Sequence, residues 1–220
     1  MPSRLIARAL RVFFFLLYQP MAWSYDIVAA LVSSGRWKDW VFSVLPFVDG
    51  ERVLEIGHGP GHLQAALVRR GIRTFGLDAS PQMGRQAAGR LRRSGLTPRL
   101  VRGYAQAIPF PNETFDQIVS TFPAEYIAAP ETLAECYRTL KPGGELLVLP
   151  AAWITGQSLL DRGLAILFRV TNQAPEWNPQ WTEPLSRAGF QVQGTWITQK
   201  SWKLVVLRAR KQNAGKRCRN

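Results

Sequence analysis

Eleven residues constrain this chain more than any others: Val53-Leu54-Glu55-Ile56-Gly57-His58-Gly59-Pro60-Gly61-His62-Leu63. An apolar run with one internal acid enters a turn in which glycine takes every second position, and a helical pattern follows as far as Gly71. Alternate glycines permit left-handed backbone and let main-chain N–H groups approach a ligand closely. A buried strand that passes through such a turn into a helix opens a parallel α/β sheet. The turn then lies at the carboxyl ends of the strands, where ligands of this architecture bind.

The remaining pattern repeats that unit. Arg52–Gly57 reads as a first strand, Gly61–Gly71 as a helix closed by its own glycine, and Arg73–Asp78 as a second strand. Ser80-Pro81 supplies a cap and a first-turn proline for a helix reaching to around Ser94. Arg99–Arg102 and Phe115–Thr121 give strands three and four, Pro130–Leu140 a helix, and Glu145–Leu149 a fifth strand behind a Lys141-Pro142-Gly143-Gly144 turn. Ser158–Val170 and Pro179–Ala188 look helical, and Phe190–Ile197 with Trp202–Ala209 form a closing antiparallel hairpin. Two leading helices are expected, over residues 4–18 and 22–45. The fold class is therefore α/β: a Rossmann-like, doubly wound, seven-stranded sheet, mostly parallel with an antiparallel C-terminal hairpin and helices on both faces. The 220 residues suit one core. N-terminal helices are assigned to residues 1–45, the main domain to 46–210 and a basic tail to 211–220.

Charge is the unusual part of the composition, with 28 Lys+Arg against 15 Asp+Glu for a net of +13. Residues 51–100 hold nine basic and three acidic side chains, and Arg208–Asn220 six basic and none acidic. Such a field favours an anionic partner, either a membrane surface or a nucleic acid, or serves solubility. Near the N-terminus, Arg4, Arg8 and Arg11 fall within about 60° of one another on a helix, with Leu5, Ile6, Leu10, Phe13 and Phe14 around the rest. That pattern suits a helix lying in a membrane interface, or one packed on the domain with a solvated arginine face. No run of apolar residues is long enough to span a bilayer. Cys136 and Cys218 sit in unlike contexts, which argues against a disulfide and for a reducing, cytoplasmic compartment.

Two acids frame the glycine turn. A carboxylate at Asp78, ending the second strand, is placed to accept both hydroxyls of a ribose, and Glu55 to meet an ammonium group. His58 and His62 are the only histidines; they read as polar lining or helix capping, with a general base as the alternative. No metal-ligand cluster, paired-carboxylate site or Ser-His-Asp set stands out.

These segments together resemble the class I S-adenosylmethionine-dependent methyltransferases, in particular the group near the ubiquinone and menaquinone C-methyltransferases, over most of residues 20–210. The resemblance implies that Glu55, Gly57, Gly59 and Gly61, with His58, His62 and Leu63 alongside, hold the methionine portion of S-adenosyl-L-methionine, and that Asp78 holds its ribose. Ala79, Ser80 and Met83 match the segment beside the adenosine. Gly103–Pro111 is similar to the family's adenine-contacting run, where Tyr104 replaces the usual aspartate and is followed by Ala105 and Gln106. Ser120 ends the fourth strand beside the cofactor, and Leu140–Gly144 matches the turn before the fifth.

Tyr25 resembles a lid residue, and Ser120-Thr121-Phe122-Pro123 leaves strand four where the family places groups beside the transferred methyl. Tyr25, Ser120 and Phe122 are thus the catalytic candidates. The Asn/Asp-Pro-Pro-Tyr motif of amino-group methyltransferases is missing from that run. Trp153, Phe168, Trp177 and Trp181, with the N-terminal helices and the Phe122–Tyr126 loop, would line an acceptor pocket. The implied function is methyl transfer to a small hydrophobic or lipid-like acceptor by a cytoplasmic enzyme peripheral to an anionic membrane. RNA methylation is the alternative acceptor class; a nicotinamide oxidoreductase or a non-catalytic cofactor-binding protein are alternatives of another kind.

Overall fold

The architecture follows from β1, Arg52–Ile56, which is buried from Val53 onward and therefore apolar on both faces. A computed structural model describes residue 33, residues 35–156 and residues 179–212. Parallel neighbours flank β1, with β2 (Arg73–Asp78) on one side and β4 (Phe115–Thr121) on the other. β3 (Leu100–Arg102) pairs parallel outside β2, and β5 (Leu140–Leu149) parallel outside β4. β8 (Trp202–Lys211) then runs antiparallel to β5 and carries β7 (Phe190–Thr198) on its far edge. The chain reverses its direction of winding at β1 and β4, so ligands are expected outside the carboxyl ends of those two strands.

The sequence pattern does not announce β6, Ala152–Ile154, which is antiparallel to β8. Val148 pairs with Leu207 and Ala152 with Leu204, while β7 occupies the opposite edge of β8 throughout. β6 is thus an end-on continuation of β5 past Pro150, whose missing N–H interrupts the ladder. Among the described residues eight strands, one more than expected, fill the seven expected positions across the sheet.

Helices cover both faces. α1 (Trp37–Phe42) and α2 (His62–Arg69) bury Trp40, Val41, Leu63 and Leu67 against Val53, Val119 and Leu147. α4 (Pro130–Thr139) and α5 (Glu183–Arg187) bury Leu133, Cys136 and Leu185 against Leu54, Ile118 and Leu146. Adjacent strand residues such as Val53 and Leu54 face opposite ways, and this period of two feeds both halves of the core. α3 (Pro81–Arg93) starts where expected: Ser80 accepts the Met83 N–H at its N-cap and Pro81 occupies the first turn.

Three boundaries differ from the sequence reading. Lys141-Pro142-Gly143-Gly144 lies within β5 rather than before it, at a register irregularity opposite Phe115–Gln117. Gly143 is left-handed at φ 77°, and a Cβ on Gly144 would sit 2.8 Å from the Asp116 carbonyl, so the glycines serve a bulge. Pro179–Ala188 splits into a 3₁₀ turn (Pro179–Thr182) and α5, whose first turn holds Pro184. The expected helix over 22–45 is broken within its described part, because Gly35 is left-handed and α1 begins at Trp37, whose N–H is taken by Ser33 Oγ. A 3₁₀ turn at Leu45–Phe47 follows. Gln117 of β4 pins the segment behind it, accepting from Asp49 and Gly50 N–H and donating to the Phe47 carbonyl.

The interface helix expected at 4–18, the tail beyond 212, Tyr25, Phe168, Trp177 and Cys218 lie outside the described residues. Among the described residues no helix is long and apolar enough to cross a membrane.

Candidate active site

Gly57, Gly59 and Gly61 all adopt positive φ, at 71°, 52° and 82°. Each glycine has its own reason. A Cβ on Gly57 would fall 2.5 Å from Tyr126 Oη, and one on Gly61 would fall 2.7 Å from Ala87 Cβ, where α3 packs on the start of α2. At Gly59 no atom lies within 4 Å of where a Cβ would stand, so that corner faces open space. The middle of the turn is therefore the accessible part, with its backbone exposed to a ligand.

Asp78 fixes that turn. One carboxylate oxygen accepts the Gly59 N–H at 2.9 Å and the other accepts the Ser80 N–H at 2.8 Å, which joins the loop after β1 to the loop after β2. Each oxygen keeps a further lone pair for a hydroxyl group. Arg90 of α3 donates to the Pro60 carbonyl and braces the turn from behind.

Glu55 lies beneath the turn and is only 2% exposed. Gln64 Nε2 donates to its Oε2 at 2.8 Å, and Thr74 in turn donates to Gln64 Oε1 at 3.4 Å. Burial pushes the Glu55 carboxyl up to about 8, against the Gln64 hydrogen bond and with help from the Asp78 charge. Among the described residues no salt bridge reaches it; the site holds a buried acid whose ionised form calls for a cation as its complement.

His58 is 4% exposed, and its ring rests on β2, so that a Cβ on Gly76 would approach Cδ2 to 2.8 Å. Nδ1 lies 2.7 Å from the Gly59 carbonyl; a carbonyl only accepts, so this nitrogen carries the proton. Burial lowers the His58 pKa, opposed by the Asp78 charge and by backbone carbonyls, which favours the neutral ring. That geometry agrees with a loop-bracing group. His62 opens α2, half-buried.

The other sequence candidates separate into two groups. Ser80 caps α3 beside Asp78, and Ala79 precedes it in the same loop. Tyr104 is 68% exposed after β3 and Gln106 is also exposed, while Ala105 turns into the core. Leu63 and Met83 are fully buried, so their side chains support the loops from below rather than line the surface. Ser120 is buried at the end of β4 and donates to the Ile56 carbonyl at 3.0 Å, tying the ends of the two central strands together. Phe122 has φ 49°, an uncommon conformation for a bulky residue. Its ring packs 4.7 Å from Trp37 and 6.3 Å from Trp40. Trp153 stacks on Trp181 at 6.2 Å and tilts against Trp196 at 5.3 Å, farther along the β6–β8 end of the sheet.

Two participants escaped the sequence reading. Gln64 looked like an ordinary helix position; only its spacing, nine residues after Glu55 and on the inner face of α2, marks it. Tyr126 stood only as the end of an acceptor loop, yet its hydroxyl overhangs Gly57.

Residues 53–144 match the family model described as a methyltransferase domain. The chain is 33% identical over 148 residues to demethylmenaquinone methyltransferase of Symbiobacterium thermophilum, covering 62% of this chain and 58% of that protein. It is 33% identical over 144 residues to the ubiquinone/menaquinone biosynthesis C-methyltransferase UbiE of Citrobacter koseri, covering 60% and 56%. Among solved structures, YcgJ of Bacillus subtilis superposes with TM-score 0.60 at 17% identity over 80% of this chain and 99% of that one. The family model, these relatives and the fold together support a class I S-adenosylmethionine-dependent methyltransferase.

A second structure sets the range of this methyltransferase fold. Phosphoethanolamine N-methyltransferase 2 of Haemonchus contortus, in complex with S-adenosyl-L-methionine, aligns with TM-score 0.58 at 18% identity over 81% of this chain and 53% of that one. At such identity the likeness is one of fold. The chain spans a little over half the length of the curated relatives it matches.

Proposed function

We propose that this methyltransferase moves the methyl group of S-adenosyl-L-methionine to a small hydrophobic or lipid-like acceptor. The observation that carries the cofactor reading is the juxtaposition of Glu55 and Asp78 around the open Gly57–Gly61 turn at the switch between β1 and β4. A buried acid that an adjacent cation would ionise fits the cofactor's ammonium group. The second lone pairs of Asp78 fit its ribose hydroxyls. The Gly59 corner leaves room for the methionine portion, and the loop Ala79–Ser80 and the Tyr104–Gln106 stretch flank the adenosine.

The cofactor, when bound, supplies an electrophilic methyl on a sulfonium. The chain's own work is then to orient, desolvate and present the acceptor in line, which supplies much of the acceleration of such a displacement. Phe122, held at positive φ against Trp37 and Trp40, is the group we assign to the acceptor side, together with Tyr126 above Gly57. Ser120 acts through Ile56 as a positioning residue. Tyr25 remains our choice for the lid.

The acceptor class rests on the names of the quinone-pathway relatives and on the apolar, arginine-faced pattern of residues 4–18. Methyl transfer should therefore occur at or near a membrane surface. The deciding experiment supplies cofactor labelled in the methyl group to the full chain with fractionated cell extract. Label in the organic-extractable pool supports this reading; label in RNA or in water-soluble metabolites overturns the acceptor assignment.

A further inference from the structure

From Arg69 to Arg102 the chain holds nine arginines, no lysine and a single acid, Asp78. Three of those arginines line one cleft of about 550 Å³ between α3 and the edge strand β3, with Asp78 and His58 at its inner end. Arg85 and Arg92 lie seven positions apart and hence on the same face of α3, roughly 10 Å apart along its axis. Ala88 stands between them, and Gly84, at which a Cβ would meet no atom within 4 Å, lies one turn before Ala88 and just ahead of Arg85. The floor is open because the residues there are small.

Arg102 reaches in from β3, its Nε donating to the Ala79 carbonyl at 3.4 Å. Arg85, Arg92 and Arg102 are exposed, and none has a carboxylate partner among the described residues. Three unneutralised guanidiniums on two elements make an arrangement that phosphate oxygens would satisfy with paired N–H donors. Beside them on the same two elements the lining is aliphatic, with Pro81 on α3, Leu100 and Val101 on β3, and Pro98 just ahead of β3.

We infer that the α3–β3 cleft binds the phosphate headgroup of an acidic phospholipid, docking this side of the domain on an anionic bilayer. The lining decides between anionic partners. A nucleic-acid track interleaves guanidiniums with stacking rings, whereas no aromatic residue occurs between Phe75 and Tyr104. A cleft whose guanidiniums are interspersed with aliphatic carbons on both α3 and β3 matches a phosphate joined to a glycerol and its acyl chains. A neighbouring depression shared by Arg85, Arg90 and Arg93 extends the basic surface along α3.

The test is co-sedimentation of the full chain with phosphatidylcholine vesicles, with and without phosphatidic acid. Binding should require phosphatidic acid and fall by roughly 25-fold in the double variant Arg85→Gln/Arg92→Gln, each arginine near a charged bilayer contributing about fivefold. Removing the same charge elsewhere, by Lys38→Gln/Lys200→Gln, should cost clearly less. Gly84→Leu, which keeps every charge and fills the floor, should also weaken binding. Equal losses in the two double variants would show a diffuse charge effect and overturn the cleft, as would full binding by Gly84→Leu. Inorganic phosphate that saturates the cleft without any vesicle binding, or an RNA duplex bound in preference to vesicles and lost with Arg85 and Arg92, would overturn the lipid assignment. Thermal melts of each variant, expected to match the parent, separate binding from folding.

Discussion

Gln64 Nε2 donates to Glu55 Oε2 at 2.8 Å, and among the described residues Gln64 is the one side-chain hydrogen-bond partner of this carboxyl, buried beneath the glycine turn. An acid held in that way is poised between two states. Without a cation, burial keeps the proton on; with an ammonium group opposite, ionisation is favoured.

Native Glu55 titrates at about 8 against an ordinary value of 4.5, so the folded state keeps a proton that the unfolded chain releases between those values. Its contribution to stability is present below pH 4.5 and is lost as pH rises towards 8. Glu55→Gln removes that dependence. Denaturant titrations at pH 5 and at pH 8 should show the variant gaining on the parent at the higher pH; parallel curves at both would contradict the burial account.

The same carboxyl links cofactor binding to pH. If an ammonium group is its partner, binding below pH 8 must expel the Glu55 proton, and affinity rises with pH by up to about tenfold per unit. Calorimetry at pH 7 in buffers of different ionisation enthalpy should register proton release. Release abolished in Glu55→Gln supports the pairing; release unchanged in that variant rejects it.

Gly57→Ala meets two obstacles, a φ of 71° and the Tyr126 hydroxyl 2.5 Å from the new Cβ. The backbone term alone costs about 1–2 kcal/mol. Adding Tyr126→Phe should return part of the loss, since it removes the clashing oxygen but leaves the backbone as it was. A double-mutant cycle of unfolding free energies measures this coupling, and strict additivity would mean that the hydroxyl is not over the turn.

Much of this was legible before any coordinates. β1, β2, β4 and α3 could be placed to within a residue, because a period-two or buried apolar run met a glycine, a cap or a proline at each end. Asp78 and the three glycines stood out for the same reason: local sequence chemistry dictates them. What stayed hidden depends on contacts between distant segments. β6 is a strand only because β8 lies beside it, Lys141–Gly144 is a bulge only because β4 forces one, and Tyr126 meets Gly57 across a gap of sixty-nine positions. Gln64 and the α3–β3 cleft likewise exist only after packing.

Arg138 offers a test of how remote residues shape the site. Its guanidinium donates to the Ile108 and Phe110 carbonyls, both at 2.9 Å, and pairs with Glu135, which itself accepts the Ile108 N–H. The Arg138 pair and the Ile108 N–H outweigh partial burial and hold the Glu135 carboxyl below its usual range. This network anchors the loop directly after Tyr104–Gln106. Arg138→Ala should lower stability by about 1–3 kcal/mol and weaken cofactor binding several-fold. A variant with lost stability and an unaltered affinity would show that the loop does not reach the adenosine.

The central claim is that Asp78 both closes the Gly59 corner and grips the cofactor's sugar. Isothermal titration of S-adenosyl-L-methionine into the parent and into Asp78→Ala and Asp78→Asn measures it most directly. The parent should bind, and both variants should bind at least about tenfold more weakly, since a charged hydrogen bond contributes roughly 1.5–3 kcal/mol. Undiminished affinity in both variants, or a parent that takes up no S-adenosyl-L-methionine at all, would contradict the account.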